Sequence, residues 1–376
     1  IGEKYMDYTL IATTTFGIEA ITSKELKKLG YEDLKVEDGK VTFTGDEMDI
    51  AITNIWLRTA ERILIRVANF KAETFEELFQ GTKAVPWGDI IPINGNMHIV
   101  GKSIKSKLFS VPDCQSIVKK AVVESMKKKY NRDWFSEDGP EYKIEVALLK
   151  DMVTLTIDTT GAGLHRRGYR KNSGGAPLKE TLAAALVLIS NWDASKSLSD
   201  VCCGSGTIVI EAAMIGKNMA PGLNRSFVCE TWPGADKKMW EQVRGGAKKS
   251  INKEDFRILA SDIDTWVLRT AKDNAEKAGV SEFIAFQKLP MNEFSSKKKC
   301  GCIISNPPYG ERMGEQKELE KLYRDFGKLY SQLDEWSVFV ITPYKEFQKL
   351  FGKKADKNRK LYNGRIQCYY YQYFNK

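Results

Sequence analysis

Residues 197–215 read SLSDVCCGSGTIVIEAAMI, and this stretch decides what fold the surrounding chain can adopt. The pattern predicts a short strand over 197–202, a glycine loop, and a helix over 207–215. Glycines at such a junction let the backbone approach a ligand, and the following helix presents unpaired N–H groups and its positive end. We therefore predict a ligand site on Asp200, Cys203, Gly204, Ser205, Gly206 and Thr207.

The glycine loop lacks the patterns of two common nucleotide sites. A Rossmann dinucleotide fingerprint needs a third glycine at position 209, where a valine stands, and a Walker loop needs Gly-Lys-Ser/Thr, which is absent here. The loop therefore favours a ligand without a pyrophosphate, such as an amino-acid nucleoside.

Helices and strands are predicted to alternate on both sides of this stretch, over residues 178–342. That rhythm is typical of an α/β fold with a mostly parallel sheet covered by helices on both faces. The dipeptide Asn363-Gly364 then predicts a hairpin turn into an aromatic strand over 368–374. The connection 218–255 is long, and we expect it to be a site-specific insertion.

Two acidic residues follow the next predicted strand, in Ser261-Asp262-Ile263-Asp264. A carboxylate at that position can accept hydrogen bonds from both hydroxyls of a ribose, as in other nucleotide-binding sheets. We predict that Asp262 binds the ligand. Asp264 either joins it or caps the helix that begins at Thr265.

A third motif, Ser305-Asn306-Pro307-Pro308-Tyr309, follows the apolar run of residues 301–304. The two prolines fix their own φ angles and restrict the residue before each, so the Asn306 amide and the Pro307 carbonyl can face one point. With the flat ring of Tyr309 they can accept two hydrogen bonds from an exocyclic amine and stack on the ring that carries it. The alternative is a structural loop that happens to contain two prolines.

Composition restricts the class of protein further. The chain has 376 residues, 42% hydrophobic and 28% charged, and lacks an apolar run long enough to cross a membrane, so we expect a cytoplasmic protein. Its seven cysteines are scattered and the two histidines stand alone, so we expect reduced thiols and no metal. Up to residue 160 there are 22 basic against 25 acidic residues, and afterwards 36 against 24, which indicates a polyanion partner for the second part.

The first 158 residues predict two small α+β units, over 8–70 and 74–158. Lysines between 102 and 129 in the second unit either follow a phosphate backbone or are simply solvated. Residues 161–175 read as a glycine-rich basic linker, which either serves as a solvated hinge or holds phosphates through its cations Arg166, Arg167, Arg170 and Lys171.

The glycine loop, Asp262 and the Asn-Pro-Pro-Tyr motif together resemble the S-adenosylmethionine-dependent amino-methyltransferases. Further stretches resemble the RNA methylase family that carries an N-terminal THUMP domain, namely residues 164–170, 176–184, 210–213 and 220–222. Residues 322–327 and 358–364 are similar to RlmL-type enzymes, which methylate the N2 amine of a guanine in 23S ribosomal RNA. This resemblance covers nearly the whole chain.

The resemblance implies a domain plan, a cofactor and a partner. It implies a ferredoxin-like domain over 1–60, a THUMP RNA-binding domain over 61–158 and a Rossmann-like methyltransferase domain over 159–376. It implies S-adenosyl-L-methionine as the cofactor and RNA as the partner. The implied catalytic residues are Asn306, Pro307, Pro308 and Tyr309, and the implied RNA contacts include Arg359 and Lys360.

Two positions depart from the family pattern. Val201 replaces a common proline before the loop, and no carboxylate stands where many relatives contact the adenine amine, so Asn292 is expected to substitute unless backbone groups do so. Two other functions stay open: an adenine-N6 methyltransferase, because the motif fits that amine equally well, and a non-catalytic RNA-binding assembly factor.

Overall fold

The computed structural model describes residues 7–170, 178–310 and 316–374, and these contain two seven-stranded sheets. The first sheet and its helices occupy the N-terminal part of the chain. Its strands are β1 (Tyr8–Thr14), β2 (Lys35–Glu37), β3 (Lys40–Gly45), β4 (Ala60–Lys71), β5 (Asn96–Ile104), β6 (Glu141–Leu149) and β7 (Met152–Asp158). Its helices are α1 (Glu19–Lys28), α2 (Glu47–Trp56), α3 (Phe75–Lys83), α4 (Trp87–Ile90) and α5 (Val111–Tyr130).

The two predicted N-terminal units share this single sheet, whose strand order is β2-β3-β1-β4-β7-β6-β5. The twelve-residue strand β4 joins them, because its first half pairs with β1 and its second half pairs with β7. Each unit still has its own hydrophobic cluster, one under α2 and one under α5. The continuous strand therefore couples two cores through backbone hydrogen bonds.

The second sheet has the strand order β10-β9-β8-β11-β12-β14-β13. Its strands are β8 (Ser197–Asp200), β9 (Ile258–Asp262), β10 (Ile284–Lys288), β11 (Gly301–Ser305), β12 (Trp336–Thr342), β13 (Lys357–Asn363) and β14 (Ile366–Tyr373). The helices of this part of the chain are α6 (Glu180–Ser190), α7 (Thr207–Gly216), α8 (Lys237–Lys249), α9 (Thr265–Ala278), α10 (Gln316–Gln332) and α11 (Phe347–Phe351).

The predicted α/β architecture is confirmed in this sheet. Strands β10, β9, β8, β11 and β12 are parallel, and the terminal hairpin of β13 and β14 is antiparallel. Two separate hydrophobic clusters cover the sheet, one built around α6 and α7 and the other around α10. Chain order reverses between β8 and β11, which opens a crevice at their carboxyl ends, the usual ligand position in such folds.

The long connection 218–255, which we expect to be a site-specific insertion, has structure of its own. It forms α8 and packs on the N-terminal part of the chain, where Phe227 and Trp240 stack with ring centroids 5.6 Å apart in the cluster around α2. Its Trp232 stacks on Tyr142 at 4.7 Å and donates a hydrogen bond of 2.9 Å to the Glu141 carbonyl. The connection therefore ties the two sheets together.

No helix in the described ranges is long and apolar enough to cross a membrane.

If Trp232 holds the two sheets together, Trp232→Ala should lower the free energy of unfolding by about 2 kcal/mol, because a stacked pair and a hydrogen bond are lost. Thermal unfolding of the full chain measures this. Trp134→Ala is the matched control, since that side chain is 76% exposed, and it should change stability by less than about 0.5 kcal/mol. Equal effects of the two variants would contradict the bridging role.

Candidate active site

The glycine loop after β8 is held against the end of β9 by two hydrogen bonds. The backbone N–H of Cys203 donates to the Ser261 carbonyl at 2.9 Å, and the N–H of Gly204 donates to Oδ2 of Asp262 at 2.9 Å. The motifs that the sequence separates by some 58 residues therefore meet at one edge of the sheet.

Two glycines give the loop its shape. Gly204 has φ +51° and Gly206 has φ +83°, a region that side chains rarely adopt. A Cβ on Gly204 would meet no heavy atom within 4 Å, so the loop faces open space there, whereas one on Gly206 would lie 3.0 Å from the Cβ of Ala271 in α9. Gly204 therefore faces the ligand space, and Gly206 allows close packing of α7 on α9.

A cavity of about 170 Å³ lies over this loop. Most of the residues predicted for the cofactor line it, together with three that the sequence analysis missed. The lining residues are Leu178, Asp200, Cys202, Cys203, Gly204, Ser205, Thr207, Ile208 and Asn306. Leu178 belongs to a distant segment, so its part in the cavity could not be inferred from the loop motif.

Asp200 connects the loop to the third motif. Its Oδ1 accepts hydrogen bonds from the Ser305 hydroxyl at 2.6 Å and from the Cys202 N–H at 3.1 Å. Burial, opposed by the hydrogen bonds from Ser305 and Cys202 and assisted by the neighbouring Asp262 carboxylate, raises the pKa of Asp200 to about 7. The carboxyl therefore ionises close to neutral pH, inside a cavity that accepts a ligand.

The three remaining cofactor candidates lie in different settings. Asp262 is half-buried and accepts both the Gly204 N–H and the Asp264 N–H. Asp264 is exposed and caps α9 by accepting the Trp266 N–H at 2.7 Å, which is the alternative role considered for it. Asn292 is exposed, in the short turn Met291–Glu293 that follows β10.

The Asn-Pro-Pro-Tyr motif lies at the end of β11, and Asn306 faces the cavity of the glycine loop. The Tyr309 hydroxyl donates to Oδ1 of Asn306 at 2.9 Å, and the Sγ of Cys368 lies 3.7 Å from the same hydroxyl. The Tyr309 ring packs partly buried against the sheet core, so it is less open than the predicted flat face. The Pro308 carbonyl accepts a hydrogen bond of 3.4 Å from Tyr323.

The prediction that Arg167 contacts RNA is wrong. Its side chain is 2% exposed and pairs with the fully buried Glu211 at 3.4 Å, while its guanidinium also donates to the carbonyls of Leu164 and Arg58. Tyr169 donates to the same carboxylate at 3.1 Å. Residues 161–170, the described part of the predicted linker, therefore pack at the junction between the two sheets, where Arg167 satisfies a buried acid.

Arg170 also differs from its predicted role. Its guanidinium donates to the Thr207 hydroxyl and, at 3.0 Å, to the Leu178 carbonyl, and it lies 3.5 Å from the Glu180 carboxylate. With a side chain only 13% exposed, it supports two walls of the cavity and is not available to a phosphate backbone.

The other four predicted RNA contacts divide into three groups. Arg166 and Lys360 are exposed, so both stay candidates. Arg359 is half-buried and donates to the Gly17 carbonyl at 3.1 Å. Lys171 lies outside the described residues.

The lysines of the N-terminal part are largely engaged with acids. Ion pairs join Lys102 to Glu145, Lys107 to Glu73, Lys119 to Glu137, Lys127 to Glu124 and Lys129 to Asp89. The predicted basic face is therefore much less positive than its lysine count indicates. In the described parts of the chain, no group of three or more His, Cys, Asp or Glu side chains could hold a metal ion.

Comparison with protein families agrees with this fold and site. The family described as RMKL-like, methyltransferase domain, matches residues 167–372. The RlmL ferredoxin-like domain matches residues 9–64 and the THUMP domain matches residues 72–158. The fold is that of an S-adenosylmethionine-dependent methyltransferase. The chain belongs to the RMKL-like methyltransferase family, which confirms the predicted resemblance.

Two curated relatives span nearly all of the chain. "Putative RNA methyltransferase YpsC" of Bacillus subtilis (strain 168) is 50% identical over 372 residues, covering 98% of this chain and 96% of that protein. The ribosomal RNA large subunit methyltransferase K/L of Vibrio cholerae serotype O1 is 36% identical over 377 residues. That match covers 96% of this chain but 52% of the relative, so this chain spans about half of its length.

Two solved structures are also similar along the whole chain. SMU.472, described as "a putative methyltransferase complexed with SAH", is 43% identical with a TM-score of 0.93, covering 100% of this chain and 99% of the other. A protein from Listeria monocytogenes str. 4b F2365, described as a predicted N6-adenine-specific DNA methylase, is 48% identical with a TM-score of 0.94, covering 99% and 97%. The first description names no base, and the second names adenine.

The buried position of Arg167 can be tested against its exposed neighbour. Arg167→Ala should lower the free energy of unfolding by about 3 to 5 kcal/mol, because Glu211 would keep a buried charge without its partner. Arg166→Ala, the matched control, should change stability by less than about 0.5 kcal/mol. Chemical denaturation of both variants measures the difference, and a mild effect of Arg167→Ala would disprove its buried role.

Because the pKa of Asp200 is raised to about 7, its carboxyl is neutral below neutral pH and ionised above it. The positively charged sulfonium of the cofactor favours the ionised form, so affinity for S-adenosylmethionine should rise between about pH 6 and pH 8. Calorimetric titration across this range measures the effect.

Two variants separate Asp200 from other titrating groups. Asp200→Asn should remove most of the pH dependence. Ser305→Ala removes a hydrogen bond that lowers the pKa, so it should move the rise in affinity to higher pH. An unchanged pH profile in Ser305→Ala would show that Asp200 does not control cofactor binding.

Proposed function

We propose that this protein transfers a methyl group from S-adenosyl-L-methionine to the exocyclic N2 amine of a guanine in 23S ribosomal RNA. One observation carries the proposal: a single cavity is lined by both the Gly204 loop and Asn306, the motifs proposed for the methyl donor and the amine. The large-subunit ribosomal RNA methyltransferase of Vibrio cholerae, 36% identical to this chain, supports ribosomal RNA as the substrate class.

The glycine loop fits an amino-acid nucleoside. Gly204 leaves open space for the ligand, and the half-buried carboxylate of Asp262 lies at the end of the neighbouring strand. In the proposal Asp262 accepts the ribose hydroxyls, the loop N–H groups face the amino-acid part, and Asp200 adds negative charge near it. The bound cofactor supplies an electrophilic methyl group on a positively charged sulfur.

Asn306 has the central role toward the acceptor. The lone pair of a purine amine is delocalised into the ring, so the amine is a poor nucleophile until its hydrogens are held and its lone pair is directed. A carboxamide oxygen accepts two hydrogen bonds, and Tyr309 occupies one of them, so Oδ1 of Asn306 keeps one for an amine hydrogen. The Pro307 carbonyl is proposed to accept the second hydrogen.

These acceptors would also stabilise positive charge as it develops on the nitrogen. Alignment of two held reactants contributes much of the remaining rate, on the order of 7 to 11 kcal/mol of the barrier. A separate general base is not required, because the methylated nitrogen becomes acidic. Stacking of the base on the accessible part of the Tyr309 ring would add about 1 to 3 kcal/mol.

RNA recognition is proposed for the surfaces outside the cavity. The THUMP match over 72–158 and the excess of basic residues after residue 160 both support an RNA partner. Arg166 and Lys360 are exposed cations available to phosphates.

A second candidate is an adenine-N6 methyltransferase. The Asn306 and Tyr309 arrangement specifies an amine beside an aromatic ring and does not choose between the two purines. The Listeria relative described as an adenine-specific DNA methylase favours this alternative. A non-catalytic assembly factor is disfavoured, because the cavity combines the loop glycines with Asn306.

A transfer assay with tritium-labelled cofactor tests the proposal. The full chain should label ribosomal RNA and leave genomic DNA unlabelled, and nucleoside mass spectrometry should identify N2-methylguanosine in 23S RNA. Asn306→Ala is the matched inactive control. It should bind the cofactor normally and lose at least about 100-fold in transfer rate, because the amine loses an oriented acceptor.

Each other outcome has a distinct meaning. If the product is N6-methyladenosine, the methylated base is adenine and not guanine. If DNA is labelled, the substrate is DNA and not RNA. No incorporation into either nucleic acid would favour the assembly factor. Loss of cofactor binding in Asn306→Ala with normal residual transfer would contradict the proposed role of Asn306.

A further inference from the structure

An aromatic pair lies where the first and second sheets meet, with Phe16 exposed and Tyr362 half-buried. Phe16, in the loop between β1 and α1, is 48% exposed, and its ring lies edge-on to Tyr362 of β13 with centroids 6.0 Å apart. The ammonium of Lys360 lies 5.5 Å from the centroid of the Tyr362 ring. We call Phe16, Lys360 and Tyr362 the junction cluster.

The backbone under the cluster is tightly packed, although its two segments are far apart in sequence. A Cβ on Gly17, at φ +96°, would lie 2.6 Å from the Lys360 carbonyl, so only glycine allows this approach. Arg359 donates to the Gly17 carbonyl at 3.1 Å. The rings of the cluster are therefore held in place before any ligand arrives, which lowers the entropy cost of binding.

The cluster is close to the proposed acceptor site. Tyr309, which contacts Asn306, lies 3.7 Å from Cys368 of β14, and Cys368 pairs with Leu361, the residue between Lys360 and Tyr362. The backbone that carries Lys360 and Tyr362 is therefore one strand away from the strand of Cys368, and their side chains project from the face of β13 opposite to Leu361, because successive side chains of a strand alternate. A nucleotide next to the target nucleotide could reach the cluster.

The charge at the cluster suits a phosphate. Lys360 is exposed and forms no ion pair with the described acidic residues, and Arg365 is exposed at the turn of the same hairpin. The acid in the β1–α1 connection, Glu19, is engaged, since its carboxylate accepts the N–H groups of Gly17 and Gly39, each at 2.9 Å.

We propose that the junction cluster binds an unpaired nucleotide of the RNA substrate, next to the target nucleotide. Its base stacks on the exposed ring of Phe16 and contacts the half-buried ring of Tyr362 at its edge, and its phosphate lies near Lys360. Stacking on aromatic side chains is the usual way in which proteins hold unpaired bases, and it tolerates any base. The inference rests on the proposed RNA substrate, and it adds a second contact that keeps the strand open beside the flipped base.

Binding of a fluorescein-labelled oligoadenylate of about ten nucleotides tests the cluster without methyl transfer. Phe16→Leu and Tyr362→Leu keep an apolar contact between the segments and remove the stacking ring, so each should weaken binding about tenfold. Tyr362→Phe should restore wild-type affinity. Lys360→Ala should reduce the slope of log affinity against log salt concentration by about one, as expected for the loss of one phosphate contact.

The control is Val36→Ala, because Val36 is 48% exposed, like Phe16, and lies in β2 at the edge of the first sheet, outside the THUMP region. Its oligoadenylate affinity should equal that of the wild type. Cofactor affinity and the unfolding temperature should stay unchanged in all of these variants, whereas a purely structural role of the cluster would lower the unfolding temperature.

Wild-type affinity in Phe16→Leu and Tyr362→Leu, or the same loss in Val36→Ala, would overturn the inference. If weaker binding is accompanied by a lower unfolding temperature, the cluster has a structural role, and this outcome would also overturn the inference. The binding test of the cluster can fail or succeed independently of the methyl-transfer test of the proposed function. If the variants lose oligoadenylate affinity while the wild type methylates no RNA, the cluster proposal stands and the methyl-transfer proposal fails.

Discussion

The hydrogen bond between the Ser305 hydroxyl and the buried Asp200 carboxylate, 2.6 Å long, is the interaction on which the site depends. It joins the carboxyl ends of β8 and β11, the two strands between which chain order reverses. Parallel strands open a crevice at such a point, since the connections leave in opposite directions. Without a fixed link across it, the glycine loop and the Asn306 motif would share an edge of the sheet but no common cavity. The same burial that makes the link strong raises the pKa of Asp200 toward neutrality.

A second set of contacts fixes the N-terminal sheet against the catalytic domain. The buried pair of Arg167 and Glu211 lies in the junction, Trp232 stacks on Tyr142, and Arg359 holds the Gly17 carbonyl. A charged pair, an aromatic stack and a backbone contact come from three separate segments, so the two parts behave as one body. For an enzyme proposed to choose one nucleotide in a large RNA, a fixed distance between the THUMP region and the cavity would contribute to that choice.

Much of this arrangement could be predicted from local sequence. The parallel sheet follows from the alternation of apolar strands and helices, and the glycine loop, Asp262 and Asn306 follow from the residues that end three of its strands. The predictions failed where burial decides the role of a side chain. Arg167 and Arg166 are adjacent and chemically identical, yet one satisfies a buried carboxylate and the other is exposed. The length of the connection 218–255 is likewise visible in the sequence, but the surface of the N-terminal part on which it packs is not.

The sequence by itself determined the class of fold, the positions of the ligand motifs and the family, because these depend on short-range patterns of polarity, glycine and proline. Tertiary structure alone decided which groups meet. It paired Ser305 with Asp200, turned the Tyr309 hydroxyl toward Asn306, buried Arg167 and brought Phe16 to Tyr362 across more than 340 residues. The physical reason is that hydrogen bonding, ion pairing and stacking act only over a few ångströms, and the packing of distant elements sets those distances.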